Sequence, residues 1–227
     1  TRSTSANSDM DASRNRSLRL RLFLFTGILA VAVYIGYVLI KPSEALPIYH
    51  PAQLDPRLVD TSLKGAKGEH HIRDFRLIDQ FGGNFTLADV GDRIIVADFF
   101  FTTCATICPK MSVQMERVQE AYKTDDRLLL LSHSVTPEID SVPVIAAYAE
   151  LHNADPDRCC FQAGATSEIY ALARKSYFAA MDEGDGGMDD FVHTENFVLV
   201  DRQRRIRGFY DGTSTKDVDR LIGDIAK

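Results

Sequence analysis

The sequence predicts an α/β domain carried on a single N-terminal transmembrane helix. The domain is a buried sheet with crossover helices and an antiparallel closing pair of strands. Three observations predict it. Residues 22–40 are free of charge. Two short runs, RIIVADFFF at 93–101 and RLLLL at 127–131, are apolar enough to be strands covered on both faces. Between them, Ile107, Met111, Met115, Val118 and Tyr122 recur at helical steps and define one buried helix face.

Composition sets the limits. The chain has 227 residues, 45% of them hydrophobic, with 26 Lys and Arg against 32 Asp and Glu, a formal charge of −6. That suits one or two folded domains and excludes a disordered or collagen-like chain. The acidic balance argues against nucleic acid as a partner. Four cysteines, at 104, 108, 159 and 160, are too few for a disulfide scaffold; they read as one working pair plus two others. Charge is also uneven. The first 40 residues carry five Arg against two Asp, so the remainder carries −9.

Taken in order, residues 1–21 form a polar tail. Its first thirteen residues have no periodicity and are expected to be irregular unless a neighbouring membrane subunit holds them. Residues 22–40, LFLFTGILAVAVYIGYVLI, span roughly 28 Å as a helix, close to the hydrocarbon thickness of a bilayer. The run is longer than a signal-peptide core and lacks a small-residue cleavage site. Arg14, Arg16, Arg19 and Arg21 precede it, whereas Glu44, Asp55 and Asp60 follow. The expected topology is therefore single-pass in the inner (cytoplasmic) membrane, N-terminus cytoplasmic and the acidic domain periplasmic.

Residues 41–70 hold four prolines and read as a semi-stiff linker or strap. The domain proper is read as 71–227. Phe75, Leu77, Phe85 and Leu87 alternate around Asp79-Gln80-Phe81-Gly82-Gly83-Asn84, a hairpin. Strand 93–101 follows, with Asp98 readable as a strand-end or partly exposed carboxylate, or as a group beneath a site. After Cys104-Ala-Thr-Ile-Cys108-Pro109 comes a helix whose first turn accepts Pro109. Strand 127–131 is next, then a helix over 144–151 capped by Ser141 or Asp140. A short strand and a helix from Thr166, burying Ile169, Leu172 and Ala173, lead to antiparallel strands at 196–201 and 206–210. Ser214-Thr-Lys-Asp217 is a capping box for a last helix that buries Val218, Leu221, Ile222 and Ile225. This order is a thioredoxin-like α/β architecture.

The chemistry centres on Cys104 and Cys108, where a central strand meets a helix. Four residues apart in helical geometry they share a face, close enough for a disulfide or for two sulfurs on one metal. Unsatisfied N–H groups at a helix start stabilise thiolates. Thiolates select soft metals such as Cu(I), zinc or iron–sulfur centres, and two sulfurs need a third ligand. Of six histidines, His193 in FVHTENFVLV leads into a strand able to end beside the cysteines; His133 is the second candidate. His70 and His71 read as solvated. Cys159 and Cys160, neighbours in a strand, point to opposite faces and read as buried free thiols. Residues 181–190, with three glycines and five acidic residues, read as a mobile segment able to move His193, with Met181 and Met188 as lesser soft-ligand candidates.

These residues resemble the SCO/SenC family of membrane-anchored copper proteins for cytochrome oxidase assembly. The CxxxCP motif stands as Cys104 to Pro109 and the later His-Thr as His193-Thr194. The single span, the DQxG-type hairpin at Asp79-Gln80-Phe81-Gly82 and the FxxT stretch before Cys104 also match, from about residue 20 to the C-terminus. The resemblance implies copper, as Cu(I) or Cu(II), on Cys104, Cys108 and His193, or an empty site closed by a Cys104–Cys108 disulfide. It implies no organic cofactor. The partner it implies is cytochrome c oxidase subunit II, whose CuA site receives copper or has its thiols reduced. Two departures stand out: Thr136 replaces the first carboxylate of an Asp-Pro-x-x-Asp stretch that keeps Asp140, and Val192 replaces an Asp before the histidine. Two other readings remain open: a membrane-anchored thiol:disulfide oxidoreductase using the Cys104–Cys108 dithiol as its catalytic pair, and a structural subunit of a respiratory supercomplex.

Overall fold

The uncharged run lies within one helix, α1 (Thr4–Ile40), in a computed structural model that describes residues 4–40, 45–66, 68–180 and 195–227. Residues 21–38 make α1 long and apolar enough to cross a membrane. Leu22, Phe23, Ile28, Val33 and Tyr37 are all exposed. Thr26 donates its hydroxyl to the carbonyls of Leu22 and Phe23, which satisfies that hydroxyl within the helix. The polar tail, expected to be irregular, is instead helical from Thr4. Extending an existing helix costs no new nucleus, and the apolar run supplies one.

Residues from Ala45 onward form a second compact unit around a seven-stranded sheet. Its strands are β1 (Arg76–Asp79), β2 (Asn84–Thr86), β3 (Ile94–Phe100), β4 (Leu128–Ser134), β5 (Cys159–Ala163), β6 (Asn196–Val200) and β7 (Ile206–Asp211). They lie in the order β2-β1-β5-β4-β3-β6-β7. The central β3, β4 and β5 are parallel, and antiparallel pairs close both sides. The β1–β2 turn forms because the Asp79 carboxylate accepts the N–H groups of Phe81 (2.9 Å) and Gly83 (2.8 Å), with Gly82 at φ 80°.

Helices α2 (Cys108–Ala121), α3 (Val142–Leu151) and α5 (Thr215–Ile225) cover one face. The core there joins Val96, Phe100 and Leu130 to Met111, Met115, Ile145 and Leu221. Helix α4 (Thr166–Lys175) and the preceding strap cover the other, over Ile95, Phe99 and Leu131. The strap is fastened rather than loose. Tyr49 and Ile72 donate their N–H groups to Ile206 and Arg204 (both 2.9 Å), and Arg207 binds the carbonyls of Leu46 and Pro47. Its prolines allow only two single-turn 3₁₀ segments, Pro51–Gln53 and Thr61–Leu63. In α5, Ser214 caps the Asp217 N–H, but Asp217 binds the N–H of Asp211 instead of completing the box, tying the helix start to β7.

Strand β4 continues three residues past the expected RLLLL, because Ser132, His133 and Ser134 are buried although polar. His133 is fully enclosed by Phe75, Phe99 and Tyr177, ring centroids 5.2–6.0 Å away. Neither ring nitrogen has a hydrogen-bond partner among the described residues. Burial holds its pKa down at about 3, only partly opposed by Gln162 at the same register of β5. His70 is also not solvated as expected: Nε2 lies 2.7 Å from the Ser176 carbonyl and the ring rests on Phe178, because the strap folds onto α4. His71 remains exposed, with Nδ1 at the Gln203 carbonyl.

An imidazole with no partner is a cost that an aromatic ring of similar size avoids. His133→Phe is expected to stabilise the chain by about 1–3 kcal/mol in urea denaturation at pH 7. The gain should grow on acidification, since a depressed histidine pKa makes the wild type lose stability as pH falls from 6.5 toward 3. Equal or lower stability of the variant across that range would count against this account of β4.

Candidate metal centre

Strands β3 and β4 run parallel, so their C-terminal ends, Phe100 and Ser134, lie side by side. The loops that follow meet there, as is usual for sites on parallel sheets. The chain leaves β3 through a turn at residues 101–107 and enters α2 at Cys108, with Pro109 in the first turn. Cys104 thus lies in the turn, and Cys108 is the first helical residue. The two are not stacked along one helix. The Cys104 Sγ instead sits at the helix start and accepts the Cys108 N–H at 3.3 Å. Ile107, at the N-cap position, offers no side-chain acceptor, so the sulfur fills that place.

The two thiols, both free in the structure, differ sharply. Partial burial disfavours the Cys104 thiolate. The N–H groups of Cys108, Thr106 and Ile107, with the Cys108 thiol, outweigh it and bring the pKa down to about 7. Cys108 is 1% exposed, and burial pushes it up to about 12 with further help from the Cys104 sulfur. One sulfur is accessible and ready to ionise; the other is a protected reserve.

Asp98 lies on the same sheet face, and it is buried mid-strand rather than at a strand end. Burial lifts its carboxyl to about 7, with Ser132, its register partner on β4, offsetting part of that. Oδ1 has no hydrogen-bond partner among the described residues. Asp98 lines a small cavity with Ser112, Gln119, Ser132 and Cys159. Of the two caps the sequence offers, Ser141 takes the N-cap position of α3 and Asp140 does not. It is fully buried and accepts hydrogen bonds from Thr102, Ser134 and Thr136. Its position in SVTPEID reads as a helix start, and only the loop's fold turns it inward.

Of the predicted ligands, the structure brings Cys104 and Cys108 together. His193 lies outside the described residues, as do Met181, Met188 and the segment 181–190. His133 does not join the pair, because alternation along β4 puts it on the opposite face of the sheet. Among the described residues no third His, Cys, Asp or Glu completes a metal-binding group. Cys159 and Cys160 are buried, one in each core layer. Cys159 donates to Gln119 Oε1 at 2.8 Å, and burial pushes both thiols up to about 12.

Alkylation of the reduced chain is expected to modify Cys104 with a midpoint near pH 7, while Cys108, Cys159 and Cys160 stay unmodified below pH 9. Comparable rates at Cys104 and Cys108 near pH 7 would refute the asymmetry. Asp98→Asn tests the buried carboxyl. A raised carboxyl pKa makes the wild type lose stability relative to the variant as pH climbs from 3.8 through about 7; the opposite contribution of His133 is common to both chains and cancels in the difference. At pH 8 the variant should be the more stable by on the order of a few kcal/mol. A stability difference between the two chains that stays constant over that window would exclude a raised carboxyl.

Residues 64–227 match the SCO1/SenC family model. A SCO1 protein homolog of Bacillus subtilis (strain 168) is 30% identical over 158 residues, covering 69% of this chain and 81% of the relative. Among solved structures, BsSco, a member of the Sco family of cytochrome c oxidase assembly proteins with a disulfide switch, superposes with a TM-score of 0.59. It shares 30% identity and covers 70% of this chain and 92% of its own. Bradyrhizobium japonicum ScoI with copper bound is similar in fold, with a TM-score of 0.54 and 22% identity over 68% of this chain and 96% of its own. With the family model covering most of the chain, and a thioredoxin-like domain presenting a CxxxCP turn, this protein belongs to the SCO1/SenC family.

Proposed function

We propose that the chain is a membrane-anchored copper carrier for cytochrome c oxidase assembly, with Cys104, Cys108 and His193 as the copper ligands. The observation that carries this reading is the seat of the Cys104 sulfur on the first N–H groups of α2. It supplies a stabilised, accessible thiolate with a second sulfur next to it. Two thiolates are a soft donor set suited to Cu(I), and an imidazole completes a low-coordinate site. Copper is cargo here. Binding to the metal removes the Cys108 proton that burial otherwise holds, so uptake releases protons. Delivery proceeds by thiolate exchange onto an acceptor pair, the CuA site of oxidase subunit II. The family membership and the copper-bound relative support the metal, and the oxidase-assembly relative supports the pathway.

Helix α1 is the anchor. Four arginines before its apolar stretch favour a cytoplasmic N-terminus and a periplasmic domain at the inner membrane. That compartment is where an exposed metal acceptor on an oxidase is reached from outside.

One observation favours a second reading of the same pair. A thiol at about 7 ahead of one at about 12 is the arrangement of an attacking and a resolving cysteine. Cys104 thiolate attacks a disulfide on the acceptor and forms a mixed disulfide, releasing one acceptor thiol. Cys108, losing its proton, then attacks Cys104 and frees the second. The pair ends as a Cys104–Cys108 disulfide, two electrons having passed to the acceptor.

Anaerobic titration of the full chain in detergent separates the two. One Cu(I) per chain is expected, lost in Cys104→Ser and Cys108→Ser and weakened by at least about a hundredfold in His193→Ala. Unchanged affinity in His193→Ala, with fast reduction of a disulfide substrate, would replace the carrier reading with the reductant.

A further inference from the structure

We infer that Asp140, acting through Thr102, is the positioning residue for the turn that presents Cys104. The proposal deepens the reading of Cys104 and Cys108 as the working pair. Asp140 sits between β4 and α3, fully buried, yet its carboxylate is satisfied from two sides. Ser134 Oγ, the last residue of β4, donates to Oδ2 at 2.6 Å, and Thr136 Oγ1 at 3.0 Å. These bonds fix the carboxylate to the end of the central sheet. From the other side, Thr102 donates its hydroxyl to Oδ1 at 2.5 Å and its N–H to Oδ2 at 3.3 Å. Thr102 lies two residues before Cys104, at the point where the chain leaves β3.

Within the turn itself the bonds are local. The Cys104 N–H goes to the Phe101 carbonyl at 3.2 Å, and Cys104 Sγ faces Thr106 Oγ1 at 3.9 Å. Thr102 ties this turn to the loop between β4 and α3 through its two hydrogen bonds to Asp140. A buried carboxylate accepting several charge-assisted bonds is a rigid post. It holds Thr102, and so holds the sulfur of Cys104 over the helix start where Cys108 begins. Ordering the turn in advance lowers the entropy cost of every event that needs both sulfurs together, whether metal capture or disulfide closure. The sequence offered this carboxylate as one of two candidate caps; its four donors assign it to the cysteine turn instead.

The test uses full-length protein in detergent and no metal. The Cys104–Cys108 dithiol is equilibrated with an oxidised/reduced dithiothreitol buffer. The pair gives up two electrons and two protons as its disulfide forms, and oxidised dithiothreitol takes them. Asp140→Asn and Thr102→Val are each expected to lower the equilibrium constant for closure by about tenfold. The double variant should go no lower than Asp140→Asn alone, since the Thr102 hydroxyl acts through that carboxylate, and Thr102→Ser, which keeps the hydroxyl, should restore the wild-type value. Thr102 is only partly buried, so Thr102→Val remains informative where Asp140→Asn fails to fold. A wild-type constant in Thr102→Val, or additive losses in the double variant, would overturn the proposal. Because copper is absent, this result is independent of whether the wild type binds Cu(I).

Discussion

The contact on which the site depends is the one between the Cys104 sulfur and the N–H groups that open α2. A helix start leaves its first N–H groups without partners, and a chain usually answers with a hydroxyl or carboxylate. Here a thiol fills the position. The same bond therefore finishes the helix and prepares the sulfur for ionisation. It needs a turn that returns the chain over the helix axis. That in turn needs a strand end fixed in the middle of a sheet, which β3 supplies between β4 and β6.

The sheet divides the domain into two kinds of buried polar chemistry. On the face of α2, α3 and α5, Asp98 lies in the layer that holds Cys108, and burial raises its carboxyl to about 7. On the face of α4 and the strap, burial holds the His133 imidazole neutral among aromatic rings. The two groups act on stability in opposite senses between pH 4 and 7, and strand alternation keeps them apart. Cys159 and Cys160 obey the same division. Each is enclosed in its own layer and held as a thiol, so Cys104 is the thiol of low pKa and partial exposure in this domain.

The strap, with the segment that continues it to Phe75, adds a further constraint. By hydrogen-bonding to Ile206 and Arg204 and burying Ile72 and Phe75 in the core, it closes a face that α4 alone leaves open. Its prolines fit that role, because they prevent helix formation and leave carbonyls free for Arg207.

Much of the fold was written in local pattern. The apolar runs at 93–101 and 127–131 announce strands covered on both faces. The spacing of Met111, Met115 and Val118 announces the face of α2, and the CxxxCP turn announces where the chemistry lies. Each of these follows from a period or from the backbone limits of Pro, which neighbours in sequence are enough to express. What sequence could not express is which polar residues the packing encloses. Ser132 to Ser134 read as lying past the end of a strand, Asp98 as either a strand-end or partly exposed carboxylate or a group beneath a site, Ser141 or Asp140 as a cap, and His70 as solvated. Packing lengthened the strand, chose the buried alternative for Asp98 and Ser141 for the cap, and covered His70, because burial is set by elements far away in the chain: Tyr177 and Phe75 around His133, Thr102 against Asp140, the strap against α4. Local sequence determined which elements form and where the two sulfurs emerge. Tertiary structure decided which side of the sheet each polar group faces, and so excluded His133 and brought Asp140 to the cysteine turn, because alternation and loop closure act only once the strands are paired.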